Sequence, residues 1–527
     1  MGNARSCRGI DASTAHAKPS VGEVVQRAFR RGGATLDVVA NPRVTRNTMS
    51  GTEVSRFTPG LSMLFNSYIF LVGFLPITWL VFWALRSARG RYVWLTLTGY
   101  VFYGYWDPRF CLLMAFSTLV SYFAGLGFLR WDNDARRRKL CLVVPIVVDL
   151  SLLGFFKYAN FALETSHTLF GLIGWDVRFP HYNIVLPIGI SFYTFHTISY
   201  IVDSYRRVIR PTRRFFEFAA YVSLFSQLVA GPIVRFRQIE EDLESIGEAG
   251  RWRWFARGVR FFIIGLVEKV IIADYLAYFV DPALANWSHL SSVGTWLAML
   301  GYTFQLYFDF SGYSSMAVGL GFLFGIRIPQ NFNSPYKSLD PSDFWRRWHI
   351  SLSSCLRDYL YIPLGGNRHG EWKTYRNLVM TMLIGGLWHG ANWTFVVWGA
   401  YHGALLALYR RYGRYWDVLP AALRQIGMFV LAAIGWVWFR ATDMRMVAGL
   451  FGRMFTPTMG ELPSQARVLL PLLLIAAWWA MIGPNAFDID AAWRSRARRW
   501  LGLAAAAAVA LAIMAGSGAS PFLYFQF

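Results

Sequence analysis

The sequence predicts an all-α integral membrane protein with about eleven to thirteen membrane segments and additional re-entrant elements, and three observations carry that prediction. Of its 527 residues, 55% are hydrophobic and only 16% charged, where a soluble domain carries about a quarter charged residues. The apolar residues arrive in repeated runs of roughly 20, enough for a helix to cross a hydrocarbon core of about 30 Å and far longer than a porin strand of about ten. Arginine and lysine collect in short clusters between those runs, the pattern of loops that stay in the cytoplasm.

Residues 1–62 are polar and Arg-rich with no apolar run, and hydrophobicity begins abruptly at Met63. We expect 1–62 to be a polar disordered extension or a misassigned start, and 63–527 to be the membrane domain. Met1, Gly2 and Ser6 fit a myristoylation pattern and Arg30 with Arg31 resembles a twin-arginine signal. No apolar stretch follows the arginines, and neither pattern is given weight. Beyond Met63, apolar spans fall near 66–85, 92–106, 110–129, 140–161, 184–203, 216–234, 258–280, 293–325, 375–409, 424–439, 467–486 and 500–516. Those at 293–325 and 375–409 are long enough to be helix pairs or bent helices.

Positive clusters at Arg86, Arg89 and Arg91, at 136–139, at 206–214 and at 494–499 mark candidate cytoplasmic loops. Residues 329–367 differ from the rest: Asn331, Asn333, Asp340, Asp343, Arg346, Arg347, His349, Arg357 and Asp358 stand among tryptophans and tyrosines. Such a segment is too polar to face lipid and too aromatic to be a free loop, and irregular backbone at membrane depth survives only inside protein or around water. It reads as a re-entrant element lining a cavity. Pro187 with Gly189 and Gly231 with Pro232 should each break a helix, and Gly385, Gly386 and Gly390 should let backbones approach closely.

The formal charge of +22 does not point to nucleic acid, because no basic patch carries a reading motif; basic loops facing anionic lipid account for it. Cys7, Cys111, Cys141 and Cys355 are isolated, without redox or metal spacing, and are expected as free thiols. No nucleophile elbow, phosphate loop or zinc pattern occurs, which argues against a serine hydrolase, an ATPase or a metalloenzyme. No repeat of solenoid period and no inverted duplication is visible.

Four of the nine histidines, His196, His349, His389 and His402, lie in or beside apolar segments, where an ionisable side chain is costly and functional by default. His389 is flanked by Gly385, Gly386 and Gly390, so a bulky substrate has room to reach it, and a neutral imidazole is the natural general base near neutrality. The alternative is a core histidine bonded to a nearby carbonyl. Taken as one helix, Arg346, His349, Ser353 and Arg357 share a face, and two guanidiniums beside an imidazole suit a phosphate-bearing donor. An interfacial helix touching lipid headgroups would use the same arginines. Asp309 with Ser311 either lines the cavity or neutralises an arginine; Glu268 and Lys269 read as a structural pair, and His402 as an orienting residue. Asp149 is an unusual charge in its span.

With these residues assembled, the chain resembles a known family. YFDFSGYS at 307–314, NFNSPY at 331–336, FWRRWHISLS at 344–353 and LWHG at 387–390 are similar to the core of the membrane-bound O-acyltransferases. LPIGISF at 186–192, QLVAGPI at 227–233 and FLYFQF at 522–527 resemble the branch that serves bacterial alginate O-acetylation. The likeness runs from about Met63 to Phe527; the 62-residue extension has no counterpart in it. It implies a multi-helix bundle around a central funnel, with His389 as catalytic histidine, His349 as its polar partner, and Arg346, Ser353, Arg357, Asp309, Asn392 and Trp388 around the substrate. It further implies a multi-pass inner-membrane enzyme with no bound cofactor or metal. An acetyl group would pass from a cytoplasmic thioester, acetyl-CoA, toward periplasmic acetyltransferase partners that esterify an exopolysaccharide. In that reading His389 deprotonates or hydrogen-bonds the incoming hydroxyl, while donors near Asn392 and His349 stabilise the oxyanion. Two other readings stand beside it: a glycolipid flippase, and acyl transfer to another envelope polymer such as cellulose or, as D-alanine, teichoic acid.

Overall fold

Lipid offers no hydrogen bonds to a backbone, so a chain this apolar must satisfy its amides locally; in the computed structural model it does so with helices. The structure describes residues 63–527 except 176, 178, 230, 249–250, 495, 518–521 and 524–527, and the expected extension at 1–62 lies outside the described residues. The principal helices in chain order are α1 (Ile69–Ala84), α2 (Ala88–Gly104), α3 (Arg109–Arg130), α4 (Ala135–Leu172), α5 (Ile190–Tyr205), α6 (Phe215–Ser223), α7 (Phe236–Glu244) and α8 (Arg251–Val267). They continue as α9 (Asp274–Ala285), α10 (Ser292–Leu323), α11 (Pro341–Arg347), α12 (Ile350–Leu356), α13 (Glu371–His389), α14 (Trp393–Asp417), α15 (Ala421–Arg440), α16 (Met444–Phe455), α17 (Ala466–Met481) and α18 (Ala497–Ser517). Among the described residues no strand forms, only a single bridge between Leu290 and Glu461.

Among the described residues, four helices are at once long and apolar enough to cross a bilayer: α3, α4, α15 and α18; α1 and α17 are shorter apolar helices. Others, such as α10, are buried along nearly their whole length and need protein around them. The two long spans resolve differently. Residues 292–323 form one continuous helix, whereas the span at 375–409 divides at Gly390, which is extended, into α13 and α14. The span at 184–203 becomes helical only at Ile190, after a left-handed Gly189. Residues 216–234 hold α6 and the four-residue helix Phe225–Leu228, and residues 231–234 are irregular.

The core is centred on α10. Its Gly312 lies against Gly265 of α8, so closely that a Cβ on Gly265 would sit 2.4 Å from the Gly312 carbonyl oxygen. Small residues permit this approach, which stands in for the hydrophobic drive that lipid does not supply.

Hydrogen bonds tie several of the positive loops to other segments of the chain. Arg138 and Arg207 both pair with Asp132 (2.7 and 3.1 Å), Arg91 reaches the Ile246 carbonyl (2.9 Å), and Arg206 reaches that of Asp358 (3.2 Å). Asp358 also takes Arg235 at 2.6 Å. The clusters at 136–139 and 206–214, separated along the sequence, therefore meet at Asp132. Asp149, the odd charge of α4, is buried and accepts from Ser117 of α3 and Thr197 of α5, each at 2.6 Å. Cys111, Cys141 and Cys355 are free thiols; Cys7 lies outside the described residues.

Candidate active site

His389 ends α13, Gly390 turns the chain, and Asn392 caps α14, accepting from the Thr394 amide at 3.0 Å and donating to the Thr442 carbonyl at 2.8 Å. The two helices pack so tightly that a Cβ on Gly386 would meet the Phe395 carbonyl oxygen at 2.2 Å, and one on Gly399 that of Met382 at 2.3 Å. Gly386 and Gly390, on either side of His389, thus serve the seating of α13 on α14, whereas Gly385 faces Leu356 of α12. Around the His389 ring stand Trp388, Trp398 and Phe439, with centroids at 5.0, 5.1 and 5.2 Å. The carbonyls of Trp388 and His389 both accept from Lys157 of α4, the latter at 3.1 Å.

His349 arrives from the polar segment. The expected single helix through Arg346, His349, Ser353 and Arg357 does not form: α11 ends at Arg347, and His349 takes left-handed angles (φ 42°, ψ 55°) before α12 begins. The turn is clamped by residues 331–333. The Asn333 amide donates to the Arg347 carbonyl (2.9 Å) and the Ile350 amide to the Asn331 carbonyl (2.8 Å). The reversal brings His349 within 6.3 Å of His389, ring to ring, and 6.0 Å of Trp388. Both imidazoles are buried, His349 at 0% and His389 at 4% exposure.

Because the helix breaks, the rest of the expected stripe disperses. Arg346 is exposed and pairs with Asp343 at 3.5 Å, Arg357 is exposed and pairs with Asp358 at 2.7 Å, and the Ser353 hydroxyl donates to the Trp348 carbonyl at 3.1 Å. Asp309 is buried against Lys269 (2.6 Å) and accepts from the Leu523 amide (2.8 Å). The cation it neutralises is thus a lysine. Glu268 and Lys269 do not pair with each other: Glu268 accepts from Ser311 at 2.8 Å, whereas Lys269 holds Asp274 as well as Asp309. Neighbours along a helix point about 100° apart. His402 stands behind Trp398 (4.9 Å) and stacks on Phe344. His196 faces Tyr221 at 5.6 Å, while Phe192 and Phe195 of the same helix reach Trp388.

Lys157 and Asn331 are the neighbours that sequence reasoning did not assign to the site. A lone cation inside an apolar run is a signal that could have flagged Lys157; Asn331 stood in the polar segment read as lining a cavity, but no spacing linked it to His349 in particular.

Residues 174–444, which contain the broken helix, both imidazoles and the glycine-packed pair, match the family model of the membrane-bound O-acyltransferases. The chain belongs to the membrane-bound O-acyltransferase family. It is 45% identical over 397 residues to the probable alginate O-acetylase of Azotobacter vinelandii, covering 75% of this chain and 78% of that one. It is 38% identical over 427 residues to the peptidoglycan O-acetyltransferase of Helicobacter pylori, covering 74% and 80%. A more distant match, 28% over 243 residues, is the teichoic acid D-alanyltransferase of Bacillus subtilis, covering 44% and 60%. The protein is therefore a multi-pass membrane acyltransferase that takes an acyl group from a donor.

Proposed function

We propose that this acyltransferase moves an acetyl group from a cytoplasmic thioester, acetyl-CoA, across the inner membrane for O-acetylation of an exopolysaccharide, alginate foremost. The observation that carries the reading is the pair of buried imidazoles, brought by separate elements to 6.3 Å from one another. In transfer, a hydroxyl oxygen bonds the acyl carbon, the carbon–sulfur bond breaks, the proton passes to His389, and the thiolate leaves. Alginate is favoured over other polymers by the identity to the Azotobacter relative, and the arginine clusters between the apolar spans favour a cytoplasmic donor side. Periplasmic acetyltransferase proteins would then receive the group. Because Asn392 is committed as a helix cap, its part in holding an oxyanion falls to its remaining N–H.

The test is acetyl transfer from labelled acetyl-CoA in membrane vesicles with His389→Ala and His349→Ala. Both variants should remain in the membrane and lose transfer by at least about a hundredfold, the range of acid–base catalysis. Wild-type rates in the His389→Ala vesicles would reject His389 as the proton acceptor, and translocation of a glycolipid without ester formation would establish a flippase.

A further inference from the structure

The hydrogen bonds around Asn331 define more than a turn. Its side-chain oxygen, Oδ1, accepts from the Ser351 amide at 3.2 Å and the Ser351 hydroxyl at 2.9 Å, while its Nδ2 donates to Ser314 of α10 at 3.2 Å. A backbone N–H can only donate, so the atom facing Ser351 must be the oxygen, and the amide is fixed in one orientation. That same oxygen lies 3.1 Å from Nδ1 of His349. Two lone pairs at this distance would repel, so Nδ1 carries the hydrogen and donates it. The one rival proton donor, the Ser351 hydroxyl, is farther from Nδ1 at 3.4 Å; it points to Asn331 and in turn accepts from the Ile233 amide at 2.9 Å.

On the opposite edge, Nε2 of His349 is buried and meets no hydrogen-bond partner among the described residues. An imidazolium would place a second N–H there, in the interior, without an acceptor, at the full desolvation penalty. The neutral ring with its hydrogen on Nδ1 avoids this, and leaves Nε2 as a lone pair among the rings of Phe310, Trp388 and His389.

We infer that Asn331 is a positioning residue that locks His349 in the Nδ1–H tautomer, so that Nε2 acts as a hydrogen-bond acceptor toward a substrate O–H or N–H and does not donate to an oxyanion. This rests on the acyl-transfer reading only for the identity of the substrate. The role expected of His349 from family resemblance, donation to the oxyanion, is thereby replaced by its opposite polarity.

Nitrogen NMR of the full chain in lipid, with 15N-histidine, tests the tautomer directly, because protonated and bare ring nitrogens resonate far apart. The signals lost in His349→Gln identify the residue. The expected result is a protonated Nδ1 and a bare Nε2; a protonated Nε2 would overturn the inference. In acetyl-CoA kinetics, Asn331→Leu should lower kcat at least tenfold with KM unchanged, and Asn331→Asp, which keeps an acceptor oxygen, should recover most of that loss. Undiminished kcat in Asn331→Leu, or no recovery in Asn331→Asp, would also overturn it. Should wild-type vesicles form no ester from labelled acetyl-CoA while the NMR result holds, the acyl-transfer reading fails and the tautomer assignment stands.

Discussion

Lys157 donates from the middle of α4 to the carbonyl of His389, at 3.1 Å, across more than two hundred residues of chain. It also bonds the preceding carbonyl, of Trp388. A cation at a helix C-terminus satisfies carbonyls that have no partner within the helix and complements the negative end of its dipole. The C-terminal turn that carries His389 is thus held through its backbone, with Trp388, Trp398 and Phe439 around the ring.

Replacing Lys157 by methionine keeps the apolar stem and removes both donations. We expect a loss of about 1.5–3 kcal/mol, the range for charged hydrogen bonds, seen as a lower melting temperature in detergent. Transfer activity should fall by at least tenfold as the α13 terminus loosens, measured on vesicles with matched protein.

Gly386→Ala and Gly399→Ala each drive a methyl into a carbonyl oxygen at 2.2–2.3 Å. Since the obstacle is backbone, α13 and α14 must separate, at a cost of about 1–3 kcal/mol or more. Gly452→Ala, in α16 with nothing within 4 Å, should be neutral or stabilising by about 0.5–1 kcal/mol. Thermal melts of the three variants check the contrast, and equal behaviour would contradict the close packing.

Lys269 and Asp309 should not be equivalent. Lys269→Met leaves two carboxylates, Asp274 and Asp309, without their cation, whereas Asp309→Asn leaves Lys269 with Asp274 and keeps an acceptor for the Leu523 amide. Removing one partner of a buried pair costs about 3–5 kcal/mol. The lysine variant should reach or exceed that range and the asparagine variant fall below it, as read by folded yield and melting temperature.

Arg346→Ala and Arg357→Ala remove exposed ion pairs, which contribute about 0–1 kcal/mol. Melting temperatures should hardly move. Arg235 is a different matter: it is buried, bonds Asp358 at 2.6 Å and lies over the Tyr359 ring at 5.0 Å. Arg235→Met should destabilise clearly more than either exposed variant.

What the sequence made legible follows from the range of the interactions involved. The helices, the break before Ile190 and the cost of placing His349 and His389 among apolar residues all depend on neighbours a few positions away. Asp149 looked anomalous because its partners, Ser117 and Thr197, come from two other helices. The stripe through Arg346, His349, Ser353 and Arg357 was drawn on ideal helical spacing. It failed at one residue, because the clamp from Asn331 and Asn333 imposes a reversal that no local propensity announces. Glu268 and Lys269 were paired as sequence neighbours, yet each finds its partners elsewhere.

The left-handed backbone of His349 sets two demands on one position. A β-carbon there costs about 1–2 kcal/mol that glycine would not incur, so a glycine would suit the turn better than the residue that occupies it. His349→Gly and His349→Ala consequently form a natural control: they delete the same imidazole but differ in how comfortably the main chain reverses. The position carries a side chain its own geometry disfavours, which is what one expects where the ring, and not the bend, is the reason for the residue.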